Sequence, residues 1–184
     1  MGENWYIIVE EHAIVREEPD INSKELTKLR ITDLVKVTDK NESNTAYENL
    51  SGWLYVDTGR YEDFKKRTIL HGWIQVISVA TTERFRRVHQ FSEYEIREKI
   101  GDYLLAYKFN ENGTYNREIL KYGERSTILK NGALFSYKNV IFANDEDGNG
   151  FELFYIHKDE SLCTKYTHSD STPICATRII KPKQ

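Results

Sequence analysis

The amino-acid sequence predicts a mostly β protein with two small domains. The 184-residue chain contains twelve Tyr, eight Phe and three Trp, and aromatic and β-branched residues favour strands. Short apolar runs alternate with polar turns at intervals of roughly 8–20 residues, a spacing that favours a small barrel. A chain of this length suggests one large or two small domains and can bury roughly 70% of its unfolded surface.

The charge pattern argues against several classes of function. Lys and Arg number 26 and Asp and Glu number 29, which gives a net charge of −3 with the signs well mixed. A nucleic-acid-binding protein would carry a basic stripe or excess, so we expect no nucleic-acid partner. No apolar run approaches the ~20 residues that span a bilayer, so we expect no transmembrane segment.

The first half of the chain predicts a series of short strands. Residues 5–16 form an extended segment, and Pro19 ends it. Two short strands flank the sequence "ITD" within residues 24–40. The strands "GWLYVDTG" and "HGWIQVIS" each begin with a Gly-Trp pair, and alternation along the first puts Trp53, Tyr55 and Asp57 on one face.

These motifs resemble the bacterial SH3-like domain over about residues 5–80. The residues that carry the resemblance are Val15, Arg16, Pro19, Leu29, Val35, Val37, Gly52, Trp53, Val56, Gly72 and Trp73. Thr32-Asp33 departs from the family, which usually has a Gly turn there, and the insertion "RYEDFKKRTIL" is longer than usual. The resemblance implies a small N-terminal barrel, for which we set the domain limits 1–82. Members of the family are often implicated in binding cell-wall peptides or glycans.

Two roles are open for the tryptophans of this domain. They can pack the barrel, or they can form an exposed aromatic groove with a nearby tyrosine. Aromatic faces offer large contact areas at low entropic cost, which suits both peptides and glycans. The candidate ligand-binding residues are therefore Trp53, Tyr55 and Trp73.

Between the two halves the sequence predicts a short linker helix from Ser92 to Ile100. "SEYE" matches a capping box, in which Ser92 caps the first turn and Glu95 reaches back to it. Ile96 and Ile100 share a helical face, and Gly101 suits a helix end.

From residue 102 onward the chain predicts an antiparallel meander. Strands such as "DYLLAYKF" and "FELFYI" are joined by short turns, and "NG" at Asn131-Gly132 is a strong hairpin signal. The segment resembles bacterial lipocalin-like domains through an early "F-x-x-x-G-x-Y" hairpin at Phe109, Gly113 and Tyr115. In that family a basic strand ends the meander, and Arg178 and Lys181 would lie in it here. The domain limits are 83–184, and the resemblance implies a lipocalin-like barrel.

Cys163 and Cys175 flank a turn-rich segment, so two paired strands could bring their side chains together. We predict a disulfide, which would indicate an oxidising compartment. Two buried free thiols are one alternative. Zinc is another, because His157 and His168 lie nearby, although the short Cys-x-x-Cys spacing is missing.

Two further possibilities receive little support from the sequence. "DEDGNG", from Asp145 to Gly150, matches the first half of an EF-hand loop, but Ile156 occupies the position of the bidentate acid, so we expect a hairpin turn and no metal. No catalytic Cys–His pair, nucleophile elbow or phosphate-binding Gly loop is present.

The sequence thus favours a non-enzymatic, cofactor-free bacterial protein of the cell envelope. We expect it outside the cytoplasm, as a chain without its signal sequence, with peptidoglycan or a protein as its partner. The alternative is a carrier of a small apolar ligand inside the C-terminal barrel. A third possibility is an enzyme whose site matches no motif.

Overall fold

The computed structural model describes residues 4–38, 52–63, 65–121, 126–146, 150–164, 172–177 and 179. Strands make up 61% of the structure, and the described residues form no α-helix, which confirms the mostly β class. The chain divides into two compact units, Met1–Arg84 and Phe85–Gln184. That the domains 1–82 and 83–184 fold independently stays a prediction.

The first unit contains one seven-stranded antiparallel sheet, in the order β3-β2-β6-β5-β4-β1-β7. Its strands are β1 (Trp5–Ile8), β2 (Ala13–Arg16), β3 (Glu25–Leu29), β4 (Leu34–Val37), β5 (Trp53–Asp63), β6 (Thr68–Gln75) and β7 (Val79–Ala80). Short 3₁₀ turns follow β6 and β7. The core of this unit is aliphatic, formed by Ile8, Ala13, Val15, Leu29, Val35, Leu54, Val56, Ile74 and Val79.

The glycines of the two Gly-Trp pairs have different structural roles. Gly52 has a φ of +68° at the start of β5, a conformation that side-chain-bearing residues rarely adopt. Gly72 lies where β6 approaches β2 closely: a Cβ there would be 2.6 Å from Cγ1 of Val15 and 2.8 Å from the carbonyl O of Arg16. One glycine therefore permits a turn, and the other permits a close approach between strands.

The second unit contains a nine-stranded antiparallel sheet that forms a nearly closed barrel. Eight strands follow one another from β16 back to β9, and β8 pairs with β12. They are β8 (Arg86–Arg87), β9 (Tyr94–Ile100), β10 (Tyr103–Phe109), β11 (Thr114–Lys121), β12 (Thr127–Tyr137), β13 (Val140–Asp145), β14 (Phe151–Ile156), β15 (Leu162–Thr164) and β16 (Cys175–Ala176). The predicted hairpin at Phe109, Gly113 and Tyr115 is the β10–β11 connection. Arg178 and Lys181, expected in a basic last strand, lie outside the described residues.

The predicted linker helix is wrong, because Tyr94–Ile100 is strand β9. It pairs with β10 at every position from Tyr94↔Phe109 to Ile100↔Tyr103. The four-residue spacing of Ile96 and Ile100 fits one face of a strand as well as one face of a helix. Pairing along seven positions outweighs the local capping signal, and Gly101, with a φ of +60°, lies in the β9–β10 turn.

Aromatic and aliphatic side chains fill the interior of this barrel. The buried set is Tyr94, Ile96, Tyr107, Phe109, Tyr115, Leu134, Ile141, Ala143, Phe154 and Leu162. The rings of Phe109 and Phe154 meet edge to face with centroids 4.9 Å apart, and Tyr107 meets Phe154 at 5.4 Å. These rings therefore fill the part of the barrel interior that lies around Phe109 and Phe154.

Candidate functional site

Three rings lie together on the outer face of the β5–β6 hairpin. Tyr55 is directly opposite Trp73 in the register of the two strands, and their ring centroids are 5.2 Å apart in an edge arrangement. The His71 ring stacks on Tyr55 at 6.0 Å, with 15° between the planes. Leu54 and Ile74, which alternate with these residues, point to the aliphatic core. We call Tyr55, His71 and Trp73 the aromatic face.

The third predicted binding residue has a different environment. Trp53 is two residues before Tyr55 and pairs with Gln75, but only 7% of it is exposed. Tyr55, His71 and Trp73 are half-buried. Trp53 therefore has little surface left for a ligand. His71, which the sequence analysis did not single out, belongs to the face because it lies two residues before Trp73 on the same strand and successive side chains of a strand alternate between its faces.

Charged side chains border the aromatic face on two sides. Across the sheet, Asp57 pairs with His71 on one side and with Lys36 on the other. Arg16 pairs with Trp73, and its guanidinium donates to the carbonyl O of Ser23 at 2.6 Å. An aromatic centre with a charged border is the arrangement that protein interfaces commonly have.

The barrel contains a second group of polar residues, which the sequence did not single out. Lys130 forms an ion pair with Asp145, and Tyr115 donates a hydrogen bond to the same carboxylate. Arg117 forms an ion pair with Glu152. The register places these side chains on the inward face, because Arg117 is opposite both Tyr107 and Lys130. We call Tyr115, Arg117, Lys130, Asp145 and Glu152 the interior polar cluster.

Burial and pairing shift the pKa values of this cluster. Burial raises the pKa of Tyr115 above its ordinary value, and its hydrogen bond to Asp145 adds to the rise. Burial alone would raise the pKa of Asp145, but the hydrogen bonds from Lys130 and Tyr115 outweigh it, so the pKa is lowered. Burial would also lower the pKa of Arg117, yet its contact with Glu152 raises it. Near neutral pH, Tyr115 is therefore neutral, and Asp145 and Arg117 are charged.

These charges are paired with one another, which fits a stabilising role. A buried charge is tolerated when a partner of opposite sign and good hydrogen bonds compensate its desolvation. Within the described part of the chain, one buried nitrogen of the cluster, Nε of Arg117, has no hydrogen-bond partner.

The predicted disulfide between Cys163 and Cys175 is confirmed. The two residues are directly opposite each other on β15 and β16. Because the bond takes both thiols, the zinc alternative loses two of its four ligands; a third, His168, lies outside the described residues.

The EF-hand-like segment connects two paired strands, as expected for a hairpin. Asp145 ends β13 with its carboxylate turned to Lys130 and Tyr115, and Phe151 begins β14. The candidate calcium ligands Asp147 and Asn149 lie outside the described residues. Among the residues that are described, no three His, Cys, Asp or Glu side chains are placed to hold a metal ion.

Comparisons with known proteins leave the family open. No model of a protein family, no curated protein and no solved structure matches the chain. Within the described ranges, none of the helical segments has the length and apolar character needed to cross a membrane.

Proposed function

We propose that this chain is a non-enzymatic binding protein of the bacterial cell envelope. Its N-terminal unit holds peptidoglycan against the aromatic face of Tyr55, His71 and Trp73. The observation that carries the proposal is the contact among these three rings on the side of the sheet away from the aliphatic core. Rings that pack one another outside the core form a preordered surface, and a ligand that binds it loses little side-chain entropy.

The disulfide supports a location outside the cytoplasm. Disulfides persist in oxidising compartments and are rare in the reducing cytosol. The bond between Cys163 and Cys175 is therefore what an exported protein would carry. The resemblance of residues 5–80 to bacterial SH3-like domains adds the expectation of a cell-wall ligand.

The packing of the C-terminal barrel weighs against the apolar-carrier alternative. Phe109, Tyr115 and Phe154 are almost fully buried, and the ring of Phe109 contacts the rings of both Tyr115 and Phe154 in the interior. A carrier needs interior volume for its ligand, and here side chains take up that volume at the level of these rings.

The test measures binding and folding together. We would compare the parent protein with Tyr55→Ala in a sedimentation assay on purified peptidoglycan, and record thermal melts of both. The matched control is Tyr61→Ala, since Tyr61 is on the same strand but 51% exposed and outside the aromatic face. We expect Tyr55→Ala to weaken binding about tenfold or more with a nearly unchanged melt, and Tyr61→Ala to bind like the parent.

Two outcomes would contradict the proposal. If the parent protein does not sediment with peptidoglycan, the cell wall is not its ligand. If Tyr55→Ala binds as well as the parent, the ligand lies elsewhere on the protein.

A further inference from the structure

The barrel of the second unit has a very short strand, β16, at one end of its sheet. Within the described residues, β16 has two residues and makes two register pairs with β15, Leu162↔Ala176 and Cys163↔Cys175. By contrast, β9 and β10 pair at seven positions. Both β15 and β16 approach β9, so this short strand lies at the seam where the two ends of the sheet meet.

Among the described residues, two backbone hydrogen bonds outside the strand ladders lie near β16. The backbone N of Thr164 donates to the carbonyl O of Ile174 at 2.9 Å. Beyond β16, the backbone N of Ile179 donates to the carbonyl O of Glu93 at 2.9 Å, which joins the end of the chain to the segment just before β9. Each such bond contributes only about 1 kcal/mol net, so these contacts alone leave the strand weakly held.

The disulfide is the covalent connection between the two strands on one side of this seam, β15 and β16. Cys163 is fully buried on β15, whereas Cys175 is exposed on β16. Ile174 and Ala176 flank Cys175 and pack against the buried cluster of the barrel. The bond therefore holds Ile174 and Ala176 over the interior, while Cys175 itself is exposed to solvent.

We propose that the disulfide between Cys163 and Cys175 is a redox-sensitive latch on the barrel seam. While it is intact, β16 stays on β15 and covers the interior beside β9. When it is reduced, β16 separates, and the edges of β15 and β9 become accessible together with Leu162. In the reduced protein, strands β10 to β14 stay paired with one another and remain folded.

The reductant is a dithiol, such as a dithiol–disulfide oxidoreductase. One of its thiolates attacks Sγ of Cys175, because thiol–disulfide exchange requires access to the sulfur that is attacked and Cys175 is the exposed residue of the pair. The Cys163–Cys175 bond breaks, a mixed disulfide forms at Cys175, and Cys163 leaves as a thiolate that takes up a proton. The second thiol of the reductant then displaces Cys175, so the reductant becomes a disulfide and the two cysteines become thiols.

Hydrogen exchange on the full chain tests the latch. The protein is incubated with excess dithiothreitol as the dithiol, complete reduction is checked by thiol titration, and amide exchange is followed by NMR. A Cys163→Ser/Cys175→Ser double variant gives the same state without reductant. The control is the β10–β11 hairpin, because neither of its strands pairs with β15 or β16.

The latch predicts a local response. The amides of Thr164 and Ile179 should exchange roughly 100-fold faster without the bond, as the loop-closure effect of a short disulfide loop suggests, while the amides of β10 and β11 keep their protection. Unchanged exchange at Thr164 and Ile179 after full reduction would overturn the proposal. A loss of protection throughout β10–β14 would also overturn it, because the bond would then stabilise the whole barrel. Resistance of the native bond to dithiothreitol would overturn it as well.

Discussion

The buried clusters of the two units differ in their aromatic content. In the first unit the core is aliphatic, and Tyr55, His71 and Trp73 lie on the other face. In the second unit the rings of Phe109 and Phe154 lie inside the barrel and contact each other there. Aromatic side chains therefore form an outer face in the first unit and much of the core in the second. The second unit also has rings on its outer face, because Phe135 and Phe142 contact each other and alternate with Leu134 and Ala143 of the buried cluster.

The polar residues show the reverse arrangement. Charged side chains border the aromatic face of the first unit, whereas in the second unit Lys130 and Asp145 form an ion pair inside the barrel. A buried ion pair requires well-placed partners, because removing one partner leaves the other charge uncompensated. The second unit should consequently be sensitive to substitutions of both aromatic and charged residues, and the first unit should tolerate changes on its outer face.

The largest expected effect is truncation of a barrel ring. Phe154→Ala removes a side chain that is 1% exposed and contacts both Tyr107 and Phe109, so it should lower the free energy of unfolding by about 3–5 kcal/mol. Tyr55→Ala should lower it by less than about 1 kcal/mol. Chemical denaturation of both variants measures the contrast, and equal losses would show that the rings of the first unit are also core.

The next effect concerns the ion pair in the barrel. Asp145→Asn keeps an acceptor for Tyr115 but leaves Lys130 without its counter-charge, and should cost roughly 1–3 kcal/mol at pH 7. Because folding lowers the pKa of Asp145 below its ordinary value of 3.8, the ionised carboxylate contributes stability above that value. This contribution is lost as the pH falls through the folded pKa.

Denaturation between pH 7 and pH 2.5 measures this dependence. The difference between the parent and Asp145→Asn should be largest at neutral pH and shrink below about pH 4. A difference that is constant over the whole range would show that the charge of Asp145 contributes nothing to stability.

The smallest effect concerns the turn between β3 and β4. Thr32 has a φ of +72°, is fully buried, and its Oγ1 lacks a hydrogen-bond partner within the described residues. A β-branched residue is strained in this conformation, so Thr32→Gly should stabilise the protein by about 1 kcal/mol. The matched reverse is Gly59→Ala, which adds a Cβ in open space at a φ of +65° and should destabilise it by a similar amount. Thermal melts check both signs, and a lower melting temperature for Thr32→Gly would contradict this account of the turn.

The sequence predicted much of the fold because the strands carry local signals. Alternation and turn residues indicated β3, β4, β5 and the β10–β11 hairpin, and the spacing of the cysteines indicated their bond. The prediction failed at β9. The capping box of Ser92 and Glu95 is visible in the local sequence, whereas the pairing of β9 with β10 depends on a second strand. Local propensity is a weak prior that tertiary pairing overrides.

The candidate site was predicted only in part, for a related reason. Tyr55 and Trp73 were found from alternation along single strands, but the register that puts them opposite each other depends on how two strands pair. The interior polar cluster could not be found because Arg117, Lys130 and Asp145 lie on three strands. Each of these charges looks like a solvated surface residue until the barrel closes around it. The resemblances to SH3-like and lipocalin-like domains stay predictions.

A double-mutant cycle on ligand binding tests the central claim most directly. The claim is that Tyr55 and Trp73 form one binding surface and are not two separate packing residues. We would measure the affinity of soluble peptidoglycan fragments for the parent, Tyr55→Ala, Trp73→Ala and the double variant, at a temperature where all four are folded. Residues that contact each other and share a ligand give non-additive effects, so the double variant should bind about as weakly as the weaker single variant. Affinities unchanged in both single variants, or losses that simply add, would contradict the account.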